Sequence, residues 1–366
     1  MDLHQYNKSE YKADVAEVVQ ACNAMRRNIE NPRDISLADF VRAKYGVSMD
    51  SYYNDLGLNP SVDTIQNIFT LPDSSNRFLI PEIIRDALRL GMRKAPIWSE
   101  LIAAEQTIKS PTVTIPWFNM SDATPNKVNQ AENIPIGNVS FGSKQLKISK
   151  IGKGIKIPYE VQNYVSVSII SLFLQDFGIK LNHGIDALAI DCLINGEQAD
   201  GSESAPIVGV ATVGQLVYLD FLTVWVRMSR LGRMPNIMIG GEASAITTLN
   251  LPEFKTRDVG TPLKTLNLKT PVPNQADYYI HGSMPTTQTL VVDTSSALIK
   301  YNAQPLLIES DKIISNQTIE TYATLTTGFG ILYRDARVII DTTLAFSSNG
   351  FPPYMNIDPL QAVIID

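Results

Sequence analysis

The sequence predicts an α+β chain in which one very long amphipathic helix is flanked by strand segments. Three observations predict it. Across residues 165–195 apolar side chains recur at a 3.6-residue period, with Asp176, Lys180, Asp186 and Asp191 set between them. Over residues 110–158, and again after Pro305, the period falls to two, as in half-buried strands. Between these regions helix and strand patterns alternate, which marks an α/β unit of its own.

Residues 1–75 read as loosely built helix. Tyr11, Val15, Val18, Val19, Cys22 and Met25 fall on one helical stripe, with Pro32 just beyond it. A second short helix is predicted to start at Ser36, with Asp39 in its first turn and Gly46 past its end. With 7 basic and 11 acidic side chains, this segment suits packing on a partner better than building its own core. A third helix is expected from Pro81 to Gly91, because proline suits a first turn, Glu82 complements the dipole there, and glycine suits the stop. Further amphipathic turns are expected over 97–104.

Residues 112–118 alternate like a strand, 119–133 are polar, and strand character returns over 139–157. Two long strands around a polar tip predict an extended β-hairpin. On the returning arm Leu146 and Ile148 share one parity while Ile151, Ile155 and Ile157 share the other, so a bulge or bend is expected beside Gly152. That arm carries Lys144, Lys147, Lys150, Lys153 and Lys156, whose spacing of three sends successive lysines to opposite faces. By themselves they read as solvated, edge-protecting charges.

The long helix would measure roughly 46 Å at 1.5 Å per residue. Gly178 and Gly184 each lower its propensity by about 1 kcal/mol relative to alanine, and both permit close approach or bending. Asn195-Gly196 stops it. Beyond lie a helix over 213–231 ended by Gly232, a strand over 236–239 and a helix over 242–249. A polar excursion over 250–276 precedes strands over 278–281 and 289–293. Strands over 306–314, 317–325 and 329–340 follow, then a proline-rich tail after Ser347.

Charge and composition exclude several classes. A chain of 366 residues with 19% charged side chains is far from the signature of disorder. Its net charge of −6 argues against tight, sequence-blind DNA binding. Cys22 and Cys192 cannot make a disulfide framework, and with three histidines they make a poor zinc site; they read as small buried hydrophobes. No signal-peptide pattern opens the chain, and the longest apolar run, near 167–174, is about half a membrane span. The chain is therefore expected to be intracellular, soluble and without membrane contact. Sequons at Asn7, Asn119, Asn138 and Asn316 are then coincidental.

Catalytic signatures come up short. Gly152-x-Gly154 lacks the third glycine and following helix of a dinucleotide site. Ile239-Gly240-Gly241-Glu242 has the context of an anion site, but Glu242 would repel phosphate, so a structural turn is expected. There is no phosphate-cradling Gly-x-x-x-x-Gly-Lys-Ser/Thr loop and no nucleophile elbow. His4, His183 and His281 are read as having no Cys, Asp or Glu at metal or triad spacing, so no metal, cofactor or catalysis is expected.

Five stretches, in order, carry a resemblance. They are Phe78-Leu79-Ile80-Pro81-Glu82-Ile83-Ile84-Arg85; Lys150-Ile151-Gly152-Lys153-Gly154-Ile155-Lys156-Ile157-Pro158-Tyr159-Glu160; Asp186-Ala187-Leu188-Ala189-Ile190-Asp191-Cys192-Leu193-Ile194-Asn195-Gly196; Gln304-Pro305-Leu306; and Thr327-Gly328-Phe329-Gly330-Ile331-Leu332-Tyr333-Arg334-Asp335-Ala336-Arg337. Their order resembles that of tailed-phage major capsid proteins, whose HK97-like capsid fold is shared with encapsulins. The resemblance implies a long spine helix, an extended β-hairpin loop, and peripheral and axial domains. Residues 1–75 would be an N-terminal arm or extension, either a mature arm or a retained assembly domain. The peripheral domain would comprise 76–109, 159–196 with the spine helix, and the late strands of 304–345. Residues 110–158 would be the extended loop, 197–303 the axial domain and 346–366 a C-terminal tail.

The function so implied is a major capsid protein without catalysis. It would self-assemble through pentamers and hexamers into an icosahedral shell around phage double-stranded DNA, touched only by weak, non-specific contacts. Assembly would take place in the host bacterial cytoplasm, with a portal and, where needed, a scaffolding protein as partners. An encapsulin-like shell around a cargo enzyme is the alternative; an unrelated enzyme or binding module would need an open polar pocket. Because an isolated two-stranded ribbon is marginal in water, the hairpin is expected to lie on a neighbouring subunit. The candidate interface residues are Lys144, Lys147, Lys150, Lys153 and Lys156 with Trp117 and Phe118. Lys127, near the tip, stands where some relatives form an isopeptide cross-link, but no partner asparagine or catalytic glutamate can be assigned, so no cross-link is expected.

Overall fold

The structure, a computed structural model, describes residues 15–26, 35–70, 78–94, 96–108, 117–118, 130, 139–140, 148–196, 204–255, 276–346, 351–352 and 355. The helices are α1 (Val15–Arg26), α2 (Leu37–Tyr45), α3 (Met49–Asp55), α4 (Ile65–Thr70), α5 (Leu79–Met92), α6 (Trp98–Leu101), α7 (Tyr159–Tyr164), α8 (Val167–Asn195), α9 (Tyr218–Arg230), α10 (Glu242–Leu249) and α11 (Pro252–Lys255). The strands are β1 (Ile102–Thr107), β2 (Trp117–Phe118), β3 (Val139–Ser140), β4 (Ile148–Pro158), β5 (Ile207–Val210), β6 (Ile237–Gly240), β7 (Asp277–Ile280), β8 (Gln288–Val292), β9 (Leu298–Ile313), β10 (Thr318–Ile331) and β11 (Arg337–Ala345). The described residues fall into two compact units. The first draws on Met1–Pro96, Lys150–Gly184 and Gln304–Thr326, the second on Ile97–Ser149, Ile185–Ala303 and Thr327–Asp366.

In the first unit, α2 forms where local chemistry dictates. The Ser36 hydroxyl oxygen accepts the Asp39 amide at 2.9 Å, and Gly46, at φ 70°, donates its amide to the Arg42 carbonyl. These are an N-cap and a left-handed stop. On α1 Val15, Val18, Val19 and Cys22 are buried, but Met25 is exposed, correcting its place on the stripe; Tyr11 lies outside the described residues. Leu37, Phe40, Val41 and Tyr52 are buried as well. The surface this segment packs on belongs to the same chain: α1 and α2 pack on each other and on α5. The loop before α4 also caps α8, since the Asp63 and Pro60 carbonyls accept the Val167 and Ser168 amides at 3.0 Å.

Helix α5 begins two residues before Pro81 and runs through Gly91 instead of stopping there. Gly91 serves proximity: a Cβ there would lie 2.1 Å from the Gln175 carbonyl oxygen, and one at Gly178 would lie 2.3 Å from that of Leu88. The two glycines let the backbones of α5 and α8 touch, as the sequence suggested for Gly178. Helix α8 spans 29 residues and ends at Gly196, whose φ is 78°. Of its expected stripe, Ile170, Phe177, Leu181, Ile185, Ala189 and Cys192 are buried, whereas Ile169, Leu172 and Phe173 are exposed.

Strand β10 lies between β9 and β4. Along β4, Ile151, Ile155 and Ile157 face inward, and Ile148 is half-buried on the other parity, so the expected change of phase falls between Ile148 and Ile151. Gly152 and Gly154 accommodate β10. Side chains there would come within 2.6 Å of Thr324 Cγ2 and Tyr322 Cε1 respectively.

The second unit corrects the helix expected over 97–104. Only α6 is helical; Ile102 turns extended and opens β1, which runs parallel to β9 from Ile102↔Leu298 to Thr107↔Asn302. A five-stranded sheet has the order β5-β11-β8-β6-β7. Strand β8 is antiparallel to both β11 and β6, while β5 and β7 pair parallel at the two edges. Phe221, Val224, Trp225 and Met228 of α9 pack into a core with Met238, Val291 and Val338, and Phe351 and Met355 join it, so this part of the tail is packed.

Helix α9 starts five residues later than its period suggests. Gly214 turns at φ 80°, and the Asp220 carboxylate accepts the Ala211 and Val217 amides, both at 2.9 Å. The expected run over 329–340 is split instead between β10 and β11 by a 3-10 turn at Arg334–Ala336. Strand β9 begins at Leu298, before the proline expected to precede it.

Candidate assembly surface

Strand β4 places most of the described candidate residues. Lys150, Lys153 and Lys156 are exposed on β4. Lys156 Nζ lies 3.2 Å from Glu320 Oε1 on β10, and the Tyr322 hydroxyl donates to the same carboxylate at 2.6 Å. The Tyr322 hydroxyl, then Lys156, hold Glu320 below the usual carboxylate range. Trp117 and Phe118 form β2 and pair antiparallel with Ser140 and Val139 of β3, but the returning arm of the expected hairpin is corrected over 148–158, where β4 pairs with β10 instead. Lys127, Lys144 and Lys147 lie outside the described residues.

Lys153 and Lys156 come together with Lys180 around a groove of about 340 Å³ whose walls include Ile155, Phe173, Leu174 and Phe177. Asp176 pairs with Lys180 one turn away at 2.7 Å. Phe173 in that wall and its neighbour Leu172 are 72% and 63% exposed. The result is an apolar surface with a mostly basic rim. The stripe reading missed it, although a signal was present: Ile169, Ile170, Leu172, Phe173 and Leu174 are five apolar residues in six positions, too many for one helical face.

In the second unit three charged side chains are held by the fold. Arg337 is fully buried, and its Nη1 donates to the carbonyls of Cys192 and Leu193 at 2.7 and 2.6 Å, which caps the end of α8. Arg233 makes a two-pronged pair with Asp335, both contacts at 3.1 Å. Lys300 lies 3.5 Å from the centre of the Trp98 ring and 3.1 Å from Glu105; burial lowers its pKa while Glu105 opposes the shift.

The glycines at the end of β6 are structural. A Cβ at Gly240 would fall on the Tyr278 hydroxyl, and one at Gly241 would lie 2.1 Å from the Pro285 carbonyl oxygen. The reading that no acid lies near a histidine is corrected on α8, where Asp186 follows His183 by one turn and accepts the Trp98 amide at 2.8 Å. His281 follows β7 and accepts the Ser283 amide at Nδ1. His4 lies outside the described residues. Among the described residues, no helix is long and apolar enough to cross a membrane.

No protein family and no curated protein matches the sequence. Solved structures match the fold. The capsid of a native GTA particle has a TM-score of 0.50 at 11% identity, over 68% of this chain and 90% of that one. The holo-SrpI encapsulin complex of Synechococcus elongatus PCC 7942 has a TM-score of 0.46 at 10% identity, covering 70% and 92% of the two chains. The mature capsid of bacteriophage PhiM1 has 0.46 at 10% identity, covering 68% and 87%. The chain shares a mixed α+β, HK97-like fold with that GTA capsid protein.

Proposed function

We propose that this chain is a shell-forming subunit, the major capsid protein of a tailed phage. It self-assembles through pentamers and hexamers into an icosahedral shell around double-stranded DNA and carries no catalysis of its own. The observation that carries this reading is the fold shared with the GTA capsid protein, which spans 90% of that chain. In this reading 110–158 is the extended loop laid on a neighbouring subunit, 159–196 holds the spine helix, and 197–303 is the axial domain around the capsomer axis. The portal and, where assembly needs one, a scaffolding protein are its partners in the host cytoplasm.

Charge supports the same reading. Residues 110–160 carry six lysines and three acids, whereas 1–75 carry four more acids than bases. Loop lysines therefore have acidic surfaces to meet on other copies. A net charge of −6 suits a container, because a wall that gripped DNA would hinder packing and release.

Gradient sedimentation of particles treated with nuclease tests the proposal. Fast-sedimenting particles with protected DNA are the expected result. Particles filled with a co-purifying enzyme instead of DNA would transfer the reading to an encapsulin-like compartment. A 40.4 kDa species that persists with the candidate scaffold present would overturn it.

A further inference from the structure

The first unit contains a buried charge cluster that the shell reading does not use. Arg26 of α1 reaches α5, where its Nη1 lies 2.8 and 2.7 Å from the two carboxylate oxygens of Glu82, with 8% and 4% of the side chains exposed. The same guanidinium donates from Nε to the Ile35 carbonyl at 2.8 Å and from Nη1 to Asn23 Oδ1 at 3.0 Å. One arginine thus ties α1, the turn before α2, and α5 together.

Asp86 stands four residues after Glu82 on α5, with a buried Oδ1 that accepts no hydrogen bond. The groups facing it are Cys22 and Arg26 from α1, Asp39 from α2, Tyr53 from α3, and Glu82 and Arg89 from α5. No histidine is among them. Two neighbouring carboxylates in a site withdrawn from water repel each other, and the arginines offset that only in part.

We propose that α1–α3 form a protonation-controlled clasp on α5, tight while Asp86 is neutral and loosened once Asp86 carries its charge beside Glu82. Burial, with the Glu82 charge adding to it and Arg26 and Arg89 opposing, pushes Asp86 up to about 6. Burial pushes Cys22 up to about 11 and raises Tyr53 further, while the Ser36 hydroxyl holds Asp39 below the usual carboxylate range. Of the displaced groups, Asp86 is the one brought into the range from pH 5 to 8. The closed clasp binds its proton more tightly than the open one does, so stability is greatest at low pH. It is lost as pH rises from the ordinary aspartate value through about 6.

Hydrogen exchange on the full-length chain, corrected for intrinsic rates, tests this. The opening equilibrium of α1 and α2 should rise about tenfold between pH 5 and 8, while peptides of β6 and β8 stay level. Asp86→Asn should abolish the rise and hold the clasp at least as closed at pH 8 as the wild type is at pH 5. Asp39→Asn should keep the rise. A level wild-type profile overturns the clasp, whether or not the variants fold. A rise that survives Asp86→Asn, or vanishes in Asp39→Asn, overturns its assignment to Asp86. The result does not depend on what a shell would enclose.

Discussion

Arg337 is the residue on which the end of α8 depends. Replacing it with methionine keeps bulk but removes the donor from two buried carbonyls, a loss of about 2–3 kcal/mol. Urea unfolding of Arg337→Met should show a clearly lower midpoint; an unchanged midpoint would mean that water or another donor takes over. What was legible at this scale was local. Ser36 and Gly46 bound α2 because each acts on a backbone group three or four residues away. The partners of Arg337 lie 145 and 144 positions away, and Lys156 finds Glu320 on another strand, so neither could be read from spacing.

Among the elements, the crossing of α5 and α8 is the most sensitive to substitution. Gly91→Ala gains about 1 kcal/mol of helix propensity, yet it drives a methyl into the Gln175 carbonyl. Overpacking of this kind costs about 1–3 kcal/mol or more, so the variant should melt below the wild type. A higher melting temperature would show that the helices separate freely. The periodicities located α5, α8, α10, β7 and β8 because each has a clear apolar face or run. They failed where tertiary pairing chose the outcome. Residues 102–104 continue a helical pattern, but β9 recruits them as a strand. Gly91 looked like a stop because a sequence does not show which glycine another helix will touch.

For the whole molecule, the order of elements was legible and the grouping of strands was not. β11 follows β10 in the chain but pairs with β5 and β8, a choice set by long-range contacts. The proposed loop contacts give a prediction at this scale. Lys147→Glu with Lys156→Glu should impair assembly while leaving the subunit folded, since Lys156 is half-exposed and an exposed pair contributes little to folding. Shells of normal yield from this double variant would rule out the electrostatic contact. Boiling wild-type shells in detergent should release only 40.4 kDa chains; covalent ladders would reveal a cross-link instead.

The most direct test of shell formation is negative-stain electron microscopy of the purified protein, with candidate scaffold supplied. Closed polyhedral particles tens of nanometres across, with five-fold and six-fold capsomers, are the predicted result. A uniform field of single subunits under the same conditions would contradict it.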